Sequence, residues 1–157
     1  MKKINWVILF LALGISSSCL KNEICSPSNI ELKAGIYTLL ETDGIVDTIP
    51  LKIDLDSIYG LILEDKNWLI NESQIDEINF PLNDASNETG FVLSIGGIKD
   101  TIQFAYEKHL LFNSVKCGTS YTYTINNITN SSNFLKNIIL INSEINVLST
   151  ENIQLVF

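Results

Sequence analysis

After residue 28 the apolar residues recur with a period of two, and no stretch of useful length carries the period of a helix. Ile30, Leu32, Ala34 and Ile36 alternate with Glu31, Lys33 and Gly35, which predicts a half-buried strand ending near Leu40. Thr42-Asp43-Gly44 is a turn signal, and beyond it Leu51, Ile53 and Leu55 alternate with Lys52, Asp54 and Asp56. A short strand over 75–80 is stopped by Pro81. The runs 91–95 and 98–106 flank Gly96-Gly97 and read as a tight β-hairpin. Tyr121, Tyr123 and Ile125 form another alternating strand, and Ile153, Leu155 and Phe157 a further one. The continuous apolar run 138–141 predicts a strand covered on both faces. The expected fold is all-β: a single antiparallel β-sandwich over residues 30–157, immunoglobulin-like or transthyretin-like, of seven to nine strands. A β-barrel is the alternative.

The first residues read differently. Lys2 and Lys3 precede an apolar run over 4–15, broken by Asn5, and then Ser16-Ser17-Ser18 before Cys19. A basic start, about a dozen apolar residues and a small-residue site form a secretory signal, too short for a membrane span of about 20 residues. With Cys19 after the small residues, the segment resembles a bacterial lipoprotein signal. That resemblance implies removal of residues 1–18 and acylation of the Cys19 thiol, with 19–29 as a short tether. Ser16 departs from the pattern, which has Leu, Val or Ile there. An ordinary cleaved signal or an uncleaved anchor are the other readings. Lys21 and Glu23 are loosely similar to a surface-export tag, so the choice between periplasmic and cell-surface face stays open.

The chain holds ten Lys, no Arg and eighteen acids, for a net charge of −8. Losing 1–18 removes two Lys and leaves −10. Nucleic acid demands a basic face, so it is excluded as a partner. The acidity also argues against an electrostatic grip on anionic lipid, leaving anchoring to the acyl chains. Three cysteines are present. With Cys19 acylated, Cys25 and Cys117 remain as one disulfide pair in an oxidising compartment; two separately buried thiols are the alternative.

Catalytic signals are few. His109 is the sole histidine, placed near a strand end, and no nucleophile elbow, phosphate loop, dinucleotide fingerprint or Cys-x-x-Cys occurs. No catalytic, metal or cofactor site is expected. Asp54 and Asp56 share a strand face and could join a glycosidase-like pair or bind calcium, with a solvated face as the ordinary explanation. Asp47-Thr48-Ile49, Asp56-Ser57-Ile58 and Asp100-Thr101-Ile102 share one pattern, Asp then hydroxyl then aliphatic. It resembles an O-glycosylation acceptor of Bacteroidota and marks Thr48, Ser57 and Thr101. Trp68, in the loop-like 65–68, is the candidate platform for a sugar ring. Gly35, Tyr37, Tyr121 and Tyr123 are candidate contacts, with packed core the other reading of Tyr121 and Tyr123.

Phe112-Asn113-Ser114-Val115-Lys116-Cys117-Gly118, the early Cys25, the Asp-Thr pairs and the Pro81–Ser86 turn occur together. The combination resembles an uncharacterised family of small flavobacterial lipoproteins. The resemblance implies an outer-membrane lipoprotein encoded near an outer-membrane β-barrel protein, hence that barrel as a partner, and no catalytic residues. The expected role is a non-catalytic binding or accessory module of the cell envelope. The alternatives are a carbohydrate-binding module and an envelope hydrolase using acidic residues.

Overall fold

A computed structural model describes Cys25 and residues 30–61, 67–148 and 150–157, the side chains of 67 and 68 excepted. Its strands are β1 (Glu31–Thr42), β2 (Ile45–Pro50), β3 (Ile53–Gly60), β4 (Asn67–Ile75), β5 (Glu77–Pro81) and β6 (Glu88–Ile95). They continue as β7 (Ile98–Ser114), β8 (Gly118–Asn130), β9 (Asn137–Leu140), β10 (Glu144–Ile145) and β11 (Ile153–Val156). One sheet runs β2-β1-β11-β9, with β5 also on β1; the other runs β10-β8-β7-β6-β3-β4. Two open sheets face each other, so the fold is a sandwich and the barrel alternative is set aside.

β1 is long enough to serve three neighbours. Along one edge, Glu31–Gly35 pair with β5 and Tyr37–Thr42 pair with β2, both antiparallel. Along the other edge Ala34–Tyr37 pair with β11, and this pairing is parallel. The expected antiparallel sandwich is thus formed, with this one parallel pair within it. Among the described residues eleven strands replace the seven to nine expected, because β2, β4 and the two-residue β10 were not anticipated.

Leu32, Ala34 and Ile36 of β1 point inward with Ile78 and Phe80 of β5 and Ile153 and Leu155 of β11. Phe91, Leu93, Ile102 and Phe104 of the second sheet meet them. The rings of Phe80, Phe91 and Phe104 lie 4.9–6.3 Å apart at tilted angles. Each buried ring contributes roughly 2–3 kcal/mol of transfer free energy. Period-two alternation thus becomes one core.

Two buried polar groups fasten the sandwich at its seams. Asn152 accepts from Lys33 N and donates to the carbonyls of Asn142 and Glu144, joining β1 to the start of β10 in the other sheet. Tyr106 sits at 2% exposure, its hydroxyl accepting from Asn83 N at 2.9 Å and donating to Asn83 O at 3.1 Å. Burial raises its pKa above the ordinary phenol value. The Pro81–Ser86 turn is therefore hung from a core tyrosine. Tyr106→Phe keeps the ring and loses both bonds, and is expected to cost about 1–2 kcal/mol. A lower urea midpoint at unchanged slope would show it; an unshifted midpoint would mean the turn is held elsewhere.

Candidate functional site

Beyond Tyr106 the β7–β8 hairpin outruns the core. Ser114 pairs with Gly118 across a three-residue loop, Val115-Lys116-Cys117. Gly118 takes φ +69°, the left-handed residue that such a loop requires. Cys117 N donates to Ser114 Oγ at 3.1 Å and holds the loop closed. The loop's cysteine is bonded to Cys25, with Cα atoms 5.3 Å apart and a sequence separation of 92. The start of the domain is thereby stapled to the hairpin tip. Cys19 lies outside the described residues.

The second feature is a depression of about 330 Å³ on the outer face of β6, β7 and β8. Gly90 and Ala105 leave its floor low, and Gln103, Asn127, Thr129 and Glu88 form its walls. Register brings these together: Gln103 stands opposite Gly90 and Thr129, and Ala105 opposite Glu88 and Asn127. A Cβ at Gly90 would run into the Leu61 side chain, which lies across the strand. Glu88 is the one carboxylate among the described residues lining it, so the depression holds no acid pair. Its amides and hydroxyls suit an uncharged, hydroxylated ligand.

The remaining candidates are dispersed. Asp54 accepts from Gln74 N and Nε2, while Asp56 accepts from Gly97 N at 2.9 Å and Ser94 Oγ at 3.4 Å. Each aspartate braces a different neighbour. His109 lies well inside β7 rather than near its end, exposed, with Nε2 3.1 Å from Thr124 Oγ1. Among the described residues no three His, Cys, Asp or Glu side chains gather as metal ligands. Trp68 belongs to edge strand β4, not to a loop, and its side chain is outside the described set.

Thr48, Ser57 and Thr101 are all half-buried, on β2, β3 and β7. Asp100 before Thr101 is fully buried and accepts from Ser131 Oγ and from the backbone N–H groups of Asn133, Phe134 and Leu135 at 2.7–2.8 Å. Burial alone would raise its pKa, but these donors outweigh it and hold the carboxyl below its ordinary 3.8. The shared Asp-hydroxyl-aliphatic pattern thus has a structural use at Asp56 and Asp100. Asp47, before Thr48 on the edge strand β2, is exposed, as is Asp56, whereas Asp100 is buried.

Gly35 and Tyr37 are committed within the domain. Tyr37 donates to Glu151 Oε2 at 3.0 Å, and a Cβ at Gly35 would strike that carboxylate. Bonding to Glu151 raises the Tyr37 pKa. Tyr123 is buried, edge-on to Tyr106, and donates to the Asp84 carboxylate; burial, then that bond, raises its pKa strongly. Tyr121 is half-buried, with the Lys108 ammonium 6.0 Å from its ring centre. Sequence reasoning missed the depression and the Asp100 brace, because both arise from pairing register rather than from any local motif.

A two-sheet sandwich with a tethered hairpin, without helix among the described residues, is the class these features define. Residues 56–157 match a family of unknown function, DUF6452, and the chain belongs to it. No curated protein and no solved structure matches the chain significantly.

Proposed function

We propose that the chain is a lipid-anchored, non-catalytic lipoprotein of a flavobacterial outer membrane, serving as a binding or accessory module for an envelope partner. The Cys25–Cys117 bridge carries the reading. Disulfides persist in oxidising compartments such as the periplasm. With two of three thiols paired, Cys19 is left over behind a signal-like segment, where acylation would use it. The partner expected from the family resemblance is an outer-membrane β-barrel protein, met through the sandwich's exposed edges and faces.

Crosslinking and affinity purification from native outer membranes test the partner, with a barrel protein expected to co-purify. Recovery of the lipoprotein alone would count against the accessory role. Intact mass of the same material should show a chain starting at acylated Cys19. It would also reveal a glycan on Thr48, Ser57 or Thr101; peptide plus lipid alone would remove that modification.

One observation favours a second reading, a carbohydrate-binding module. The depression over Gly90 and Ala105 offers Gln103, Asn127 and Thr129 to sugar hydroxyls. Retention on envelope glycans that is lost in Gln103→Ala and Asn127→Ala would support it. Equal retention of parent and variants would sink it.

A further inference from the structure

We propose that the β7–β8 hairpin tip is a second membrane contact, dipping Leu110, Phe112 and Val115 into the phospholipid leaflet that holds the Cys19 acyl chains. The inference rests on the lipid-anchor reading above and gives that anchor an orientation.

Four observations converge on the tip. Leu110 and Phe112 follow Tyr106 on one face of β7, continuing the inward face of its sheet past the end of the core. They are each 65% exposed, and Val115 at the turn is 96% exposed. Apolar side chains gathered at a loop apex are what an interfacial contact presents.

Charge points the same way. Of eighteen acidic residues, none falls in 108–143, whereas that stretch holds Lys108, Lys116 and Lys136. Lys108 and Lys116 lie on the hairpin itself. In a chain this acidic, the tip is where approach to anionic lipid meets least repulsion. The β1–β2 turn also exposes Ile45 and Val46, but Glu41, Asp43 and Asp47 surround them.

Reach then decides the occupant. Six residue steps separate Cys19 from Cys25, and a fully extended chain covers about 20 Å over that length. Cys25 and Cys117 are 5.3 Å apart at Cα. The bridge therefore prevents the tip from leaving the neighbourhood of the acylated residue. A leaflet-bound Cys19 and a solvent-facing Phe112 would have to coexist within that short radius.

The test uses the mature chain acylated at Cys19, carrying Val115→Trp, in vesicles of phosphatidylethanolamine and phosphatidylglycerol. The parent chain supplies the Trp68 background for subtraction. The added indole is expected to emit at shorter wavelength, to be quenched by acyl-brominated phospholipid and to be shielded from aqueous iodide. Adding Leu110→Asn and Phe112→Asn should abolish the lipid quenching, and both positions are exposed enough for folding to survive. An indole open to iodide and untouched by bromolipid would overturn the proposal. So would one shielded from both, which would mean that protein covers the tip. Intact mass judges acylation separately. The same fluorescence from a chain held to nickel-chelating lipid by a histidine tag at position 19 judges the tip even where the thiol proves unacylated.

Discussion

Replacing Cys25 and Cys117 together with Ser is expected to lower the unfolding free energy by about 4 kcal/mol. The bridge closes a loop across 92 positions, and removing it returns that closure entropy to the unfolded chain. The folded sandwich should barely change, because Cys117 sits in the tip loop and contributes nothing to the cluster of Phe80, Phe91 and Phe104. The slope of the urea transition should rise, since an unlinked chain exposes more surface when it unfolds. Parallel urea titrations of the oxidised parent and the double variant check this. A loss below about 1 kcal/mol would show that the link leaves the unfolded ensemble unconstrained.

Asp100→Asn is expected to cost about 3 kcal/mol, although it alters one atom of a side chain that touches no solvent. Both carboxylate oxygens are in use: one takes Ser131 Oγ and Asn133 N, the other Phe134 N and Leu135 N. An amide keeps one acceptor oxygen and turns an NH₂ toward donors, so buried N–H groups lose their partners. Acidity should reproduce the effect in the parent. The folded-state pKa lies below the ordinary 3.8, so the carboxylate's contribution is complete above that value. It disappears as pH falls through the lower folded value. The stability gap between parent and Asp100→Asn should therefore hold constant near neutral pH and shrink below about pH 4. A gap that ignores pH would mean that the carboxylate charge is not what holds the 131–135 turn.

Legibility in the sequence followed the contrast between faces. β1, β8 and β11 each keep one side against the core, so their alternation survives in the residue order. Gly96 and Gly97 adopt φ +58° and +79°, the turn that their pairing announces. β4 was hidden because Asn71 and Gln74 take left-handed backbone angles and its register against β3 shifts twice, once beside Gln74. Asn71-Glu72-Ser73-Gln74 reads as a loop for that reason. β2 shows no contrast, exposing Ile45, Val46 and Ile49 alike. The run 138–141 was read as doubly covered, yet β9 is an edge strand with Leu140 46% exposed. Apolar residues in sequence report burial on average and cannot report which neighbour is missing. β7 was cut short at Tyr106, where alternation lapses as the hairpin leaves the facing sheet.

The candidate site divided along similar lines. Counting thiols pointed to the Cys25–Cys117 bridge without any knowledge of the fold. Asp100 escaped because its donors come from 131–135, about thirty positions downstream. Its own neighbours, Thr101 and Ile102, suggested a surface motif instead. The depression on β6–β8 needs Gly90, Gln103 and Thr129 to stand abreast, and only the strand register does that.

The parallel pairing of β1 with β11 makes closure of the first sheet a long-range event. The edge of Ala34–Tyr37 stays vacant until residues 152–157 arrive, 119 positions after Lys33. Local hairpins can form without residues 152–157, but the first sheet cannot close without them. A chain cut before Asn152 would carry an open strand edge and an unclasped seam. Closure of the first sheet is thus tied to a few residues far from the strand they complete.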